Sequence, residues 1–191
     1  AAQHPQRIVF AEGGHPTMMK AAVQAKQEGI CIPILLGNQD RLNRVANRLK
    51  LDISDIEIID MRADKEQGHR ATYAKQWAEK RAREGYTFEK AYDKMYERNY
   101  YGMSMVENGD ADAFITGLYT KYSNTIKVAK EVIGIRPEYK HFGTMHILNT
   151  KKGVFYIADT LINRHPDSDV LTDVARLAAH SVKFFNDEPA I

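Results

Sequence analysis

The chain has 191 residues, of which 43% are hydrophobic and 27% are charged, and its formal net charge is +2. The composition is typical of a soluble globular protein, and the length suits one large domain or one and a half ordinary ones. Basic residues are interspersed with acidic ones, which argues against nucleic acid as a partner. The sequence contains no apolar run of membrane-spanning length and begins unlike a signal peptide. We therefore expect a cytoplasmic protein without a membrane partner.

The one cysteine of the chain is Cys31, which lies between Ile30 and Ile32. A thiol in such surroundings is expected to be a small buried hydrophobic group. One cysteine excludes a disulfide within the chain and a cysteine-based metal site. We expect no metal in this part of the protein.

Short apolar strands alternate with helices in the first part of the chain. Strands are predicted over 7–11, 33–37 and 56–59, and helices over 16–28, 40–49, 64–84, 87–95 and 99–106. A strand, a helix of about a dozen residues and a second strand form a βαβ unit, so the sheet should be largely parallel. The third strand has polar flanks and is expected near the edge of the sheet.

The segment 64–84 is strongly charged, and Tyr73, Trp77 and Ala78 are spaced to share one helix face. Most of this helix is expected to be a solvated surface element. Gly85 should end it, and Thr87 should cap the next helix.

The central segment 109–125 has the strongest functional signal. Ala113–Ile115 is a short apolar run that predicts a buried strand, and Thr116 and Gly117 follow it. Ser123 or Asn124 is the predicted N-cap of the next helix. Open α/β sheets bind ligands outside the carboxyl ends of their strands, where helix N-termini offer N–H groups to anions. We therefore predict a phosphate or acyl-CoA site over 116–127, with an ordinary strand-to-helix turn as the alternative.

The pattern changes beyond Gly134. A hairpin is predicted over 144–157 with its turn at 151–153, followed by a helix over 167–185. Pro189 begins what looks like a further strand, so we expect a fragment of a longer protein. The predicted division is a first lobe at 1–137 and an incomplete second lobe at 138–191, whose apolar faces need cover from other residues or another chain.

Acyl transfer from CoA needs cations for the pyrophosphate, donors for a developing oxyanion and a base. The cations available near the predicted loops are Arg81, Lys121, Lys127 and Arg136. Asp159 is the one acid in a suggestive loop, so the base is the weak point. The sequence contains no Gly-x-Gly-x-x-Gly motif, P-loop or nucleophile elbow.

Four segments resemble the phosphate acetyltransferase/butyryltransferase family: 7–13, 33–37, 109–113 and the stretch from Phe155 through Asn163 to Pro166. The resemblance covers the whole chain in the right order. It implies a two-lobed α/β fold with a mainly parallel sheet flanked by helices, of the isocitrate/isopropylmalate dehydrogenase-like kind. Within the family, 157–160 and 122–134 look most like the carboxy-terminal domain of fused bacterial NADP-dependent malic enzymes.

That resemblance implies an acetyl-CoA or CoA ligand, a homo-oligomer, and an amino-terminal malic enzyme domain that would hold NADP and a divalent metal. The predicted ligand-binding residues are Arg81, Thr116, Gly117, Lys121, Tyr122, Ser123, Thr125, Lys127, Asp159, Thr160 and Asn163. We expect the loops 116–127 and 159–163 to face one cleft between the lobes.

The departures from the family pattern bear on activity. Lys121 and Tyr122 stand where the transferases have hydroxyl residues, and Lys127 replaces an arginine, which weakens a bidentate grip on phosphate. The resemblance places the family's Ser-x-Ser-x-x-Gly-Ser segment just after Ile191. Three hypotheses remain: an acetyl-CoA-binding regulatory domain, a catalytic phosphate acetyltransferase, and a module that only assembles subunits.

Overall fold

The computed structural model describes residues 4–159 and 161–185. The chain divides into two compact units, Ala1–Gly134 and Ile135–Ile191, called unit 1 and unit 2 below. The helices and strands of unit 1 are β1 (Gln6–Phe10), α1 (Pro16–Gln27), β2 (Cys31–Leu36), α2 (Gln39–Leu49), β3 (Glu57–Ile59), α3 (Gln67–Lys80), α4 (Phe88–Lys94), α5 (Arg98–Glu107), β4 (Ala113–Ile115) and α6 (Tyr122–Val132). Those of unit 2 are β5 (Met145–Thr150), β6 (Gly153–Ala158) and α7 (Ser168–Phe184).

The sheet of unit 1 has the strand order β3-β2-β1-β4, and all of its described pairs are parallel. Val9 of β1 is in register with Ile34 of β2 and with Phe114 of β4. The chain adds β2 and β3 on one side of β1 and then places β4 on the other side, so the order reverses between β1 and β4. The predicted α/β fold with a parallel sheet flanked by helices is confirmed, and β3 lies at the edge as expected.

Alternate residues of the strands pack into two separate cores, because side chains of a strand point to opposite faces. Val9, Ile34 and Ile59 belong to the core that includes residues of α3, α5 and α6. Phe10 and Leu35 belong to the core under α1 and α2, together with Cys31. Helices therefore cover both faces, which explains why the strands are apolar almost throughout.

Cys31 is 4% exposed, as predicted from its neighbours. Burial raises the pKa of its thiol, because a thiolate would lose its hydration in these surroundings.

The charged segment before α4 is mostly exposed, as predicted, but it also contains a buried arginine. Short 3₁₀ turns flank α3, and Tyr73 and Trp77 are buried as predicted, but the side chain of Arg70 is buried too. Its Nη1 donates to the carbonyl oxygens of Met61 and Ala63, at 2.8 Å each. Arg70 is an exception to the expected exposure of this segment, because backbone carbonyls after β3 need internal donors.

Unit 2 consists of the predicted antiparallel hairpin and the predicted helix. Met145 pairs with Ala158 and Thr150 with Gly153, and Asp167 caps α7 by accepting a hydrogen bond from the Val170 amide at 2.9 Å. The strand predicted from Pro189 lies outside the described residues. No helix among the residues that the structure describes is long and apolar enough to span a bilayer.

Candidate functional site

A cavity of about 850 Å³ lies in unit 1 at the carboxyl ends of the strands. Its lining includes residues that follow each strand: Glu12 after β1, Asn38 after β2, Asp60 after β3 and Tyr119 after β4. The cavity therefore spans the point between β1 and β4 where the strand order reverses. Open α/β sheets bind their ligands at this place.

The cavity is positively charged, because its basic lining residues (Arg41, Arg62, Lys94, Arg98 and Lys127) outnumber its acidic ones (Glu12, Asp60 and Glu97). Arg41, Arg62 and Arg98 line it, and all three are exposed. Within residues 4–159 and 161–185, none of these guanidinium groups has a carboxylate partner. The Arg98 guanidinium lies 5.8 Å from the ring centroid of Tyr119, whose ring meets that of His15 edge-on at 5.4 Å. Unpaired guanidinium groups in a concave site favour an anionic ligand.

Helices α5 and α6 begin beside this cavity without side-chain caps. Their N-cap residues, Glu97 and Lys121, make no capping hydrogen bond through their side chains. The prediction of Ser123 or Asn124 as N-cap of α6 is wrong. The chain enters the helix earlier: Lys121, with φ of −59° and ψ of 137°, is the last residue outside the helix, and its carbonyl accepts from the Asn124 amide at 2.9 Å. The free N–H groups of the first turn add to the attraction for anions.

Glu12 joins the end of β1 to the end of β4. It is 1% exposed, and its Oε1 accepts from Thr116 Oγ1 at 3.0 Å and from the Gly117 amide at 3.2 Å. Thr116 Oγ1 also lies 3.2 Å from Asn99 Oδ1 at the start of α5. Gly117 has φ of 135°, a conformation that a side chain would strain. The first two donors of the predicted phosphate loop, the Thr116 hydroxyl and the Gly117 amide, are therefore already engaged by an internal carboxylate.

The remaining predicted residues of the α6 turn have different positions. Lys127 lines the cavity, with its Nζ 3.8 Å from a carboxylate oxygen of Glu131. Lys121, Tyr122 and Ser123 are exposed at the start of α6. Thr125 is half-buried, and its Oγ1 has no partner among the described residues.

The structure does not bring Arg81 to this loop. Its Nε donates to the Glu131 carbonyl at 2.9 Å, and its Nη2 donates to the Lys130 carbonyl at 2.6 Å. These carbonyls belong to the last turn of α6, and Glu84 binds the same guanidinium at 2.7 Å. Arg81 thus satisfies carbonyls that have no partner within the helix, at the opposite end from the predicted ligand loop.

Asp159 and Asn163 lie together in unit 2. Asp159 Oδ1 accepts from Thr144 Oγ1 at 2.5 Å, and its Oδ2 accepts from Asn163 Nδ2 at 2.6 Å. Burial raises the pKa of Asp159, but the hydrogen bonds from Thr144 and Asn163 outweigh burial and lower the pKa to about 2. Such a carboxylate is a weak base and holds its own loop together. Thr160 lies outside the described residues, and the shared cleft of the two loops stays a prediction.

Glu12 and the arginines of the cavity were missed as site residues. The first polar residue after each predicted strand was a usable signal, because carboxyl ends of parallel strands meet at one edge of the sheet. That rule selects Glu12, Asn38 and Asp60 from the sequence alone. It does not select Arg98, which reaches the cavity from the start of a helix on one face of the sheet.

A parallel sheet flanked by helices, with a cationic cavity at its point of reversal, defines an α/β protein with a candidate anion-binding site. The chain belongs to the phosphate acetyl/butaryl transferase family, whose sequence model matches residues 1–191.

Similar proteins fall into two groups. The chain is 31% identical to a phosphate acetyltransferase of Thermoanaerobacterium thermosaccharolyticum, over 96% of this chain and 56% of that protein. It is also 31% identical to an NADP-dependent malic enzyme of Rhizobium meliloti, over 99% of this chain and 25% of that protein. The EutD phosphotransacetylase from Staphylococcus aureus superposes with a TM-score of 0.83 at 27% identity, covering 97% of this chain and 55% of that one. The chain thus spans about half the length of these two transferases and a quarter of the malic enzyme.

Proposed function

We propose that the cavity of unit 1 binds CoA or acetyl-CoA, and that the chain is a regulatory and oligomerising domain of an NADP-dependent malic enzyme. The observation that carries this proposal is the cationic cavity at the reversal point of the sheet. Its volume of about 850 Å³ lies within the range of pockets that bind small organic ligands.

The residues of the cavity fit a CoA-type ligand. Arg41, Arg62 and Arg98 offer guanidinium groups to phosphates, and the unsatisfied N–H groups at the start of α6 add to their field. Tyr119 provides an exposed ring beside Arg98, against which a planar base would stack. When bound, CoA would supply a thiol or thioester.

Asp159, the candidate general base, is poorly suited to accept a proton, and this favours a regulatory role over catalysis. A general base works best when its pKa lies near the operating pH. The pKa of Asp159 is lowered to about 2, which leaves it ionised but a poor proton acceptor. Lys127 is a point charge and offers phosphate no bidentate contact.

The second candidate is a catalytic phosphate acetyltransferase. The superposition on the phosphotransacetylases of Staphylococcus aureus and Streptococcus pyogenes, with TM-scores of 0.83 and 0.81, favours this role. The malic enzyme and the transferase relatives are equally similar at 31% identity, so identity does not separate the two roles.

The leading proposal has further parts. It includes an amino-terminal malic enzyme domain, with NADP and a divalent metal bound there, and a cytoplasmic location. It also includes a homo-oligomer, which the exposed apolar side chains of unit 2 support. Ile147, Leu148, Phe155 and Leu171 are each between 45% and 54% exposed, and large apolar side chains in contact with water favour association.

Two measurements test the proposal. Isothermal titration of CoA and acetyl-CoA should show saturable binding, with dephospho-CoA weaker because it lacks one phosphate. A phosphate-dependent thioester assay, on this chain and on a longer protein that contains it, should show no turnover. Acetyl phosphate formation at ordinary enzyme rates, on the order of ten per second, would replace the regulatory role with the transferase. Absence of any CoA binding would remove both.

A further inference from the structure

The inner end of the cavity already holds a negative charge of the protein itself. The Glu12 carboxylate binds the Thr116 hydroxyl at 3.0 Å and the Gly117 amide at 3.2 Å. A hydroxyl and an amide at a strand-to-helix turn are the donors that a phosphate would use. Glu12 is 1% exposed and lines the cavity. Its carboxylate therefore takes the place that a phosphate would have on these two donors.

The second oxygen of this carboxylate is available as an acceptor. Glu12 Oε2 is buried and has no hydrogen-bond partner in the part of the chain that the structure describes. A buried carboxylate oxygen without a donor is unfavourable, and a second anion beside it would be repelled. The inner end therefore favours a ligand group that is neutral and carries an N–H or O–H.

The outer rim has the opposite preference. Arg41 lies in the first turn of α2, and its Nε is 3.6 Å from the position that a Cβ on Gly14 would take, next to the start of α1. Arg98 is the first residue of α5. The helix dipole disfavours cations at helix N-termini, so the Arg41 and Arg98 side chains are repelled by the helices that carry them. An anion bound between the two guanidinium groups would offset this repulsion. Anionic groups of a ligand are thus favoured at the exposed arginines.

We propose that Glu12 is a specificity-determining residue that sets the direction of the ligand in the cavity. It excludes phosphate from the Thr116–Gly117 turn, so the phosphates stay at the rim and a neutral arm with hydrogen-bond donors extends to the inner end. The class of ligand is a phosphate ester with such an arm. This inference rests on the proposed CoA-type ligand, in which the pantetheine arm carries two amides and a hydroxyl.

The first test compares two charge-removing variants by titration with inorganic phosphate. Glu12→Gln keeps an acceptor for Thr116 and Gly117 but removes the charge, and phosphate affinity should rise roughly tenfold because like-charge repulsion is lost. Glu97→Gln is the matched control, since Glu97 also lines the cavity but is exposed. Its phosphate affinity should change by less than about twofold, because exposed charges are screened. Equal effects of the two variants would overturn the inference.

The second test uses the unmodified protein and stands even if Glu12→Gln fails to fold. Nitrogen-15 NMR would follow the Gly117 amide and the Arg41 and Arg98 Nε–H signals during titration with 3′-phosphoadenosine 5′-phosphate and, separately, with pantetheine. The nucleotide should shift the arginine signals, and pantetheine should shift Gly117. A Gly117 shift with the nucleotide, or none with pantetheine, would contradict the proposed direction. If neither fragment nor CoA binds, the proposed function fails, while the phosphate comparison still tests Glu12.

Discussion

Units 1 and 2 differ in how they bury apolar surface. In unit 1 the sheet has a core on each face, with Tyr101 and Leu35 among the fully buried side chains. Among the described residues of unit 2, the buried apolar side chains are Val174 and Val182. Carboxylates such as Asp159 and Asp173 hold the loops of unit 2 by accepting several hydrogen bonds each. Packing thus stabilises unit 1, whereas unit 2 depends more on polar contacts. Four substitutions test this contrast, and their expected effects on the free energy of unfolding fall from the first to the last.

The largest effect is expected from Trp77→Ala in unit 1. Trp77 is 3% exposed, and its ring centroid lies 4.8 Å from that of Tyr86 and 5.1 Å from that of Tyr100. Urea titration should show a loss of about 3–5 kcal/mol, because the substitution leaves a cavity and removes the indole contact with the Glu131 carbonyl. The control is Phe88→Ala at a 44% exposed site, where the loss should stay below about 1 kcal/mol. Equal losses would contradict the packing account of unit 1.

Asp159→Asn should have the next largest effect and should act through pH. The folded-state pKa of about 2 lies below the usual value of 3.8, so the carboxylate stabilises unit 2 above pH 4. This contribution, about 1–2 kcal/mol for a partly screened group, is lost as pH falls from 4 to 2. The variant should therefore be less stable at neutral pH, and its difference from the unmodified protein should shrink toward pH 2. A difference that is independent of pH would show that Asp159 does not hold the loop by its charge.

Lys121→Asp should stabilise unit 1, in contrast to the first two variants. The extended backbone at Lys121 suits an N-cap residue, and an aspartate there would accept from the free amides of α6. Thermal unfolding should show a gain of about 0.5–1 kcal/mol. CoA affinity should fall about two- to fivefold, because the same amides attract anions. Lys121→Ser separates the two effects, since it caps without a negative charge, and a destabilised Lys121→Asp would contradict the assigned helix start.

The smallest change in unfolding is expected from Phe155→Lys in unit 2. Phe155 is 50% exposed, so the free energy of unfolding of the monomer should change by less than about 0.5 kcal/mol. Light scattering after gel filtration should nevertheless show loss of an oligomer, because a lysine placed in an apolar interface loses its hydration. Ile32→Lys in unit 1, at an equally exposed site, should leave the oligomer intact. A monomeric unmodified protein would refute the interface in unit 2.

Local features of the fold were predictable from the sequence, and contacts between distant residues were not. The strand Ala113–Ile115 has the bounds that its apolar run predicts, but it is only half-buried, with Ile115 40% exposed, and the predicted burial is wrong. The hairpin and the Thr87 cap agree with the sequence, because each depends on a few neighbouring residues. Glu12 and Thr116 are 104 positions apart, and no periodicity connects them. The burial of Arg70 likewise depends on carbonyls of a loop that composition does not reveal.

The difference between local features and long-range contacts also explains which parts of the candidate site were predictable. The sequence placed a functional loop after β4, which is where one wall of the cavity lies, because polar residues follow an apolar run there. It assigned Thr116 and Gly117 to a ligand, whereas in the fold the Thr116 hydroxyl and the Gly117 amide donate to Glu12. Arg81 was predicted as a ligand residue because of its charge. In the fold it lies beside the last turn of α6, and its guanidinium binds backbone carbonyls there instead.

The buried Cys31 gives the protein an internal reporter of opening. Because its pKa is raised and it lies beneath α1 and α2, a thiol reagent should modify it slowly while unit 1 stays closed. It is the one cysteine of the sequence, so pulse labelling followed by mass measurement counts opening events of unit 1 alone, with no engineered tag. If CoA binds unit 1, the labelling rate of the Cys31 thiol should be lower in its presence, because ligand binding makes opening less favourable.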